Sequence, residues 1–419
     1  MPKRQEMWDR LGGDVDVLVI GGGINGAGIA RDAVRRGLRV AMVEMRDLAF
    51  GTSSRSSKLV HGGLRYLEQL EFSLVFEAVS ERRILMDIAP HLVNPLGFLF
   101  PVYKGSKHKL ATINAGMWLY DGLALFRAPK RHKKLSVNDV QKVEPALGTE
   151  RLKGAPLYYD CSTDDARLTL ESALDAAHSG AIVCTYAKVV SFLKDEQGKV
   201  IGAVVDDALS GGLKEIRAGA VINATGPWTD RTISMSQPLA SGSLLRPTKG
   251  VHIVVDEAKL PVKHAVVCIH PEDGRVTFAI PWGGRTYVGT TDTDYQGDPA
   301  EVYATREDVE YLIEASRRYF PDHPLTHEDV ISTWAGLRPL MRPAKSGADI
   351  DESSVSREHQ IVVGADGLIT IAGGKLTTYR RMSHEVVDTA VNMLRLSGGL
   401  TDPLAAAETS SSPLPGAVG

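Results

Sequence analysis

Residues 16–44 constrain this chain more than any other stretch. Val-Leu-Val-Ile at 17–20 is a short, apolar, β-branched run of the kind that makes a buried parallel strand. It leads directly into Gly-Gly-Gly-Ile-Asn-Gly at 21–26 and then into a small-residue helical stretch that ends at Gly37. Residues 38–43 make a second strand, which stops at Glu44, 18 residues after Gly26. Strand, glycine turn, helix, strand and terminal acid, in that order, form a dinucleotide-binding fingerprint. Gly21 permits the tight turn, Gly23 lets a pyrophosphate approach the backbone, and Gly26 lets helix and strand pack closely. Ile24 and Asn25 open the helix, whose first N–H groups lack partners and attract phosphate. Glu44 is placed to accept hydrogen bonds from the adenosine ribose. A glycine-rich turn in an ordinary α/β protein leaves that acid unexplained.

The chain has 419 residues, enough for two domains with substantial cores. Its formal net charge of −3 gives no support for nucleic-acid binding. Cys161, Cys184 and Cys268 stand far apart with no CxxC spacing, which points to a reducing compartment and to buried packing, and no metal site is assigned. The N-terminus carries charge but no apolar run of signal-peptide type, and no window of about 18 apolar residues could span a membrane.

After Glu44 the chain runs Thr-Ser-Ser-Arg-Ser-Ser-Lys-Leu-Val-His-Gly-Gly at 52–63 and continues Leu-Arg-Tyr-Leu-Glu to Glu68. Small hydroxyl residues beside glycines offer donors to a phosphate or a flavin edge. A flexible serine-rich linker is the simpler reading, but the segment feeds straight into a well-patterned helix. Together with the glycine loop, this segment resembles the FAD-dependent glycerol-3-phosphate dehydrogenases, in the larger flavoprotein group that includes D-amino acid oxidase. The resemblance implies FAD as the dinucleotide, which spacing alone leaves open. It assigns to the cofactor Gly21, Gly23, Ile24, Asn25, Gly26 and Glu44. From the hydroxyl-rich segment it adds Thr52, Ser53, Ser54, Ser57, Lys58, Leu59, His61 and Gly62.

Further along, residues 72–89 carry a helical apolar stripe. Lys104, Lys107, Lys109, Arg127, Lys130, Arg131, Lys133 and Lys134 flank an apolar segment at 110–126 with Trp-Leu-Tyr at 118–120. Such a segment suits an anionic membrane surface, or equally a helix packed on its own protein within a solvated basic loop. Thr163 or Asp164 caps a helix in which Asp164, Asp165 and Arg167 serve capping and pairing. A hairpin-like pair follows at 189–195 and 199–206, and in the family the strand near Val189 backs the adenine.

Ala-Thr-Gly-Pro-Trp at 224–228 ends another buried strand. In this flavoprotein group it makes a second backbone contact with the cofactor, through Ala224, Thr225, Gly226 and Trp228. Residues 245–291 read as an antiparallel sheet, with Gly-Thr-Thr-Asp at 289–292 again matching the dehydrogenases. Strand, double glycine and helix start at 368–380 aim backbone N–H groups and Lys375 at one place. The family closes its FAD site here with Gly374, Lys375, Leu376 and Thr377.

The expected architecture is α/β. A Rossmann-type FAD-binding domain is assembled from 14–89, 158–232 and 331–395, and an α+β substrate domain with an antiparallel sheet comes from 90–157 and 233–330. Residues 396–419, rich in Gly, Pro, Ser and Ala, are expected to be disordered, and the family's helical C-terminal domain is absent.

Oxidising a secondary alcohol with a flavin needs the carbon over N5, an acceptor for the hydroxyl proton and a hold on the substrate. A phosphate monoester is a dianion and suits arginine forks. The resemblance supplies Arg65, Arg338 and Arg357 with Tyr66 and Lys375 for substrate, Arg338 also belonging to the catalytic set, and His61 as proton acceptor with His252 as its rival. It implies oxidation of glycerol 3-phosphate to dihydroxyacetone phosphate, with electrons passed to a quinone from a cytoplasmic enzyme held at the inner face of the cell membrane. It also admits a homodimer. A glycerol-3-phosphate oxidase using O2, an amino-acid oxidase and a catalytically silent FAD-binding protein are the alternatives.

Overall fold

The computed structural model describes residues 3–67, 71–124, 129–238, 242–342 and 359–418, with the side chains of Arg65 and Tyr66 outside that description. Strand Val15–Ile20 is almost wholly buried because both its edges and both its faces are covered. It runs parallel to Val40–Val43 on one side and to Leu213–Asn223 on the other, with Val17 opposite Val40 and Ala220. The sheet extends to Ile182–Cys184 beyond the first neighbour, and to Ile369–Ala372 and Gln360–Val363 beyond the second. Helix Ile24–Arg35 lies between helices Asp165–His178 and Tyr379–Leu396. Gly28 makes that approach close, since a Cβ there would sit 2.9 Å from the Tyr379 ring. Strands Ala187–Lys194 and Val200–Asp207 form the expected hairpin and pair onward to Leu213–Asn223.

The second sheet is centred on Leu245–Asp256, which lies antiparallel to Arg285–Gly289 and to Val330–Met341. It continues through Val276–Trp282 and Ala265–Ile269 to Asn94–Leu99, Leu152–Ser162 and Leu59–Val60. Helix Arg306–Arg317 begins where Thr305 and Asp308 cap each other's backbone.

Three stretches expected in the nucleotide half belong to this second sheet, Leu59–Val60 being one. Residues 331–341 pair with Leu245–Asp256 over its length, Arg338 opposite Thr248, and 158–162 are the end of strand Leu152–Ser162. Pairing partners so far apart in the chain leave no mark on local periodicity.

The expected disorder of 396–419 is also corrected. Arg31, fully buried, donates to the carbonyls of Thr409 (3.1 Å) and Ser412 (2.7 Å). Leu414 is buried and its N–H donates to Ile88 O at 2.8 Å, while Gly416 N–H donates to Glu171 at 2.9 Å. A composition poor in apolar residues is held here by charge-assisted bonds to its carbonyls rather than by a core of its own.

Candidate active site

The glycine loop shows why its residues are glycines. Gly21 has φ +111°, and a Cβ on it would lie 2.6 Å from the Ala224 carbonyl oxygen. A Cβ on Gly26 would run into the Gly21 carbonyl, so Gly26 serves packing and does not itself line the cavity. Gly23 caps helix Ile24–Arg35 with extended backbone, and the Ile24 N–H donates to Ser53 Oγ at 2.9 Å. The Ser53 hydroxyl therefore sits on the anion-attracting helix end. Glu44 accepts the N–H of Gly22 (2.6 Å) and of Arg46 (2.8 Å). Burial pushes its carboxyl above the usual range, and those two N–H groups pull it back toward ionisation.

From this loop a cavity of about 1370 Å³ runs between the two sheets, larger than the roughly 300–1,000 Å³ usual for a single small ligand. Gly21, Gly23, Ile24, Asn25 and Glu44 line its nucleotide end. Val189, buried on Ala187–Lys194, and Ala224 border the same end. Thr225, Gly226 and Trp228 follow, the last stacked at a tilt on Phe50 with centroids 6.1 Å apart. Phe50 and Arg46 line the cavity too, and nothing in their sequence context singled them out.

Thr52, Ser53, Ser57, Leu59 and His61 continue the wall. Thr52 Oγ1 donates to Leu337 O at 2.6 Å, tying the segment to strand Val330–Met341. Besides Gly26, three residues assigned to the cofactor lie off the wall. Ser54 closes a single 3-10 turn, and its hydroxyl faces back to Gly51 O. Lys58 turns away to pair with buried Asp165 at 2.7 Å, its ammonium over the rings of Trp334 and Trp282. Gly62 is buried behind the wall, its N–H donating to Asp160 at 3.2 Å, where a Cβ would strike the Tyr120 hydroxyl. Asp165 thus anchors the segment, accepting the Ser56 N–H and hydroxyl as well, whereas Asp164 caps its helix through the Arg167 N–H.

At the far end Gly373 and Gly374 both have positive φ, +76° and +89°, a conformation that favours glycine. They bring Gly374, Lys375, Leu376 and Thr377 onto the wall. The Thr377 hydroxyl accepts the His61 N–H (3.1 Å) and donates to His61 O (3.2 Å), joining segments 316 residues apart.

Arg338 lines the cavity with its fork already aimed. It bonds Asp292 Oδ1 at 2.9 Å, Thr290 Oγ1 at 3.0 Å and Thr291 O at 3.2 Å. His252 does not reach the cavity. It is 2% exposed, stacked on Trp334 with centroids 4.7 Å apart, and lies behind Ser57, whose Oγ is 2.9 Å from Nε2. Burial, then Arg338 and Lys58, hold its pKa down at about 3. His252, expected as the rival proton acceptor, thus stands behind Ser57 and off the cavity wall. Arg357 and the side chains of Arg65 and Tyr66 lie outside the described residues. The three cysteines are buried, and burial pushes the Cys161 thiol up to about 12, so all three serve packing.

The residues present fit a dinucleotide. Glycines sit where side chains would block the turn, a helix N-terminus meets a hydroxyl, and a half-buried carboxylate borders the first end of the cavity. The profile of the family described as FAD dependent oxidoreductase matches residues 16–380. The aerobic glycerol-3-phosphate dehydrogenase of Staphylococcus haemolyticus (strain JCSC1435) is 45% identical over 403 residues, 96% of this chain and 71% of the relative. That of Staphylococcus aureus (strain USA300) is 44% identical over 400 residues, 95% of this chain and 71% of the relative. The crystal structure of the glycerol-3-phosphate dehydrogenase from Bacillus halodurans complexed with FAD superposes with a TM-score of 0.76 at 38% identity, covering 97% of this chain and 68% of that one. The chain belongs to the FAD-dependent oxidoreductases and, among them, to the aerobic glycerol-3-phosphate dehydrogenase family.

Proposed function

We infer that the protein oxidises glycerol 3-phosphate at its secondary alcohol to dihydroxyacetone phosphate and passes the electrons to a quinone. The observation that carries this reading is that one cavity holds both the glycine-loop cradle and, farther along, the cations Arg338 and Lys375. Bound FAD supplies the two-electron acceptor. The protein supplies registration and proton handling. Arg338, pre-aimed by Thr290, Thr291 and Asp292, presents a fork suited to a phosphate. Asp292 offsets part of its charge, so a dianion calls for further cations. Lys375 is one, and Arg65, Tyr66 and Arg357 complete the proposed set. His61, on the wall and braced by Thr377, is the proposed proton acceptor.

The onward acceptor places the enzyme at the inner face of the membrane. Among the described residues no helix is long and apolar enough to cross a membrane, and the association proposed is peripheral. Helix Leu110–Leu123 supports this, with Trp118 and Leu119 exposed between basic flanks.

The test is anaerobic mixing of the purified holoprotein with sn-glycerol 3-phosphate while the flavin's visible band is followed. Prompt bleaching, with colour restored slowly by air and fast by a quinone analogue, supports the reading. Fast recovery in air identifies an oxidase instead, and absence of bleaching in a protein that holds FAD overturns the catalytic reading.

A further inference from the structure

Ser56 and Ser57 are held from beneath by three side chains of the second sheet. Trp334 Nε1–H donates to Ser56 O (3.1 Å), the Tyr287 hydroxyl donates to Ser57 O (2.7 Å), and His252 Nε2 lies 2.9 Å from Ser57 Oγ. Ser57 lines the cavity; His252 does not. The imidazole is enclosed by the Trp334 ring on one face and by Tyr287 at its edge, and its Nδ1 is buried with no hydrogen-bond partner among the described residues.

We propose that His252 is a positioning residue that donates its Nε2–H to Ser57 Oγ and so turns the Ser57 hydroxyl proton into the cavity, as a fixed donor to an acceptor atom of the bound cofactor. The proposal rests on the FAD reading and concerns a residue outside the substrate contacts.

Two neutral tautomers compete. If Ser57 donated to Nε2, the imidazole proton would sit on Nδ1, a buried N–H with nothing to receive it, and the hydroxyl would offer the cavity only lone pairs. With the proton on Nε2, Nδ1 keeps an unmatched lone pair, and both donors find acceptors once the cavity is filled. Orphaned buried N–H groups are the rarer of the two defects in proteins. The doubly protonated ring is excluded by burial and by the nearby cations Arg338 and Lys58. The backbone under Ser57 is fixed, its carbonyl held by Tyr287 and the preceding residue by Asp165, and His252 Nε2 meets the hydroxyl itself. The hydroxyl thus acquires a direction that a lone surface serine lacks.

The experiment uses 15N-histidine-labelled holoprotein, with the His252 signals assigned by their loss in His252→Phe. Pyrrole-type Nε2 with pyridine-type Nδ1 at neutral pH is the expected pattern; the opposite tautomer overturns the proposal. In parallel, apoprotein is titrated with FAD, and the flavin midpoint potential is measured, for Ser57→Ala, His252→Phe and the double variant. Each single change weakens FAD binding roughly three- to ten-fold, the effect of one hydrogen bond, and the double is no worse than either, since both break one chain. His252→Gln, which restores an N–H donor, recovers part of the affinity. Additive losses, or a silent Ser57→Ala, would overturn the proposal. Normal FAD content with no bleaching by substrate would instead count against the proposed activity while leaving the tautomer result standing.

Discussion

Glu44 shows at a single residue how burial and function oppose each other. Its carboxyl is raised above the ordinary 4.5 by burial, with the Gly22 and Arg46 N–H groups pulling the other way. A group raised in the folded state contributes stability that is present below its unfolded value and lost as pH rises through its folded one. The cofactor-free fold therefore gains from protonating Glu44, whereas ribose hydroxyls donate best to the carboxylate. FAD affinity should fall on acidification, with the loss setting in above pH 4.5, as read by fluorescence titration of the apoprotein. Glu44→Gln should remove that pH dependence and weaken FAD roughly ten-fold at neutral pH, the worth of a hydrogen bond to a charged group. Arg338→Lys keeps the charge but loses the fork that Thr290, Thr291 and Asp292 aim. It should raise the KM for glycerol 3-phosphate roughly ten- to hundred-fold, with inhibition by inorganic phosphate weakening in step. A KM unchanged by the substitution would remove Arg338 from the substrate contacts.

At the scale of elements, three pieces of chain converge on Asp160, a buried residue at the cavity wall. Arg82 of helix Phe72–Ile88 pairs with it, the Tyr120 hydroxyl of helix Leu110–Leu123 donates at 2.8 Å, and the Gly62 N–H arrives from the flavin-facing segment. Both charges are buried, so Asp160→Asn leaves the Arg82 guanidinium uncompensated. It should destabilise the fold by about 3–5 kcal/mol, seen as a lower denaturation midpoint. Replacing both partners with apolar residues of similar volume should cost much less. This cluster also marks where sequence stops being informative. Local devices were readable: the Asp164 cap, the Gly21 turn and the strand–glycine–helix order all act within a few residues. Arg82 and Asp160 stand 78 positions apart, and nothing in either neighbourhood names the other. The same holds for Val330–Met341, which pairs with Leu245–Asp256 across an expected division of the chain, and for Arg31, whose grip on Thr409 and Ser412 orders a tail of disorder-like composition. His252 was legible as a histidine beside the site but not as one screened by Ser57, since alternation along a strand gives its face and not what covers that face.

Across the whole molecule, the site and the proposed membrane surface share one helix. The inner face of Leu110–Leu123 buries Met117 and Tyr120, and Ile113 and Met117 line the cavity. Its outer face exposes Trp118 and Leu119, 59% and 44% accessible, and the adjoining helix Phe72–Ile88 exposes Phe72 and Phe76. Trp118 meets the His132 ring edge to face, centroids 4.8 Å apart, yet large apolar side chains so displayed on two packed helices mark an interaction surface. Lys104, Lys107, Lys109, Lys130, Arg131, Lys133 and Lys134 surround them, all exposed. Apolar insertion combined with surface cations, each worth about 1 kcal/mol near an anionic leaflet, is the two-signal arrangement of peripheral membrane proteins. The cavity then lies one helix diameter, roughly 10 Å, from the lipid surface, which would let a lipid-dissolved acceptor approach the flavin without the protein crossing the bilayer. Sedimentation with vesicles should show binding that requires anionic lipid and weakens with salt, as screening of the basic flanks demands. Trp118→Glu with Leu119→Glu should abolish it while leaving FAD content and turnover with a water-soluble dye unchanged, because neither side chain lines the cavity. Turnover with vesicle-embedded quinone should fall along with binding. If the double variant still binds vesicles, or if the parent protein ignores lipid charge, this face packs against something other than a membrane, and the acceptor must be sought in solution.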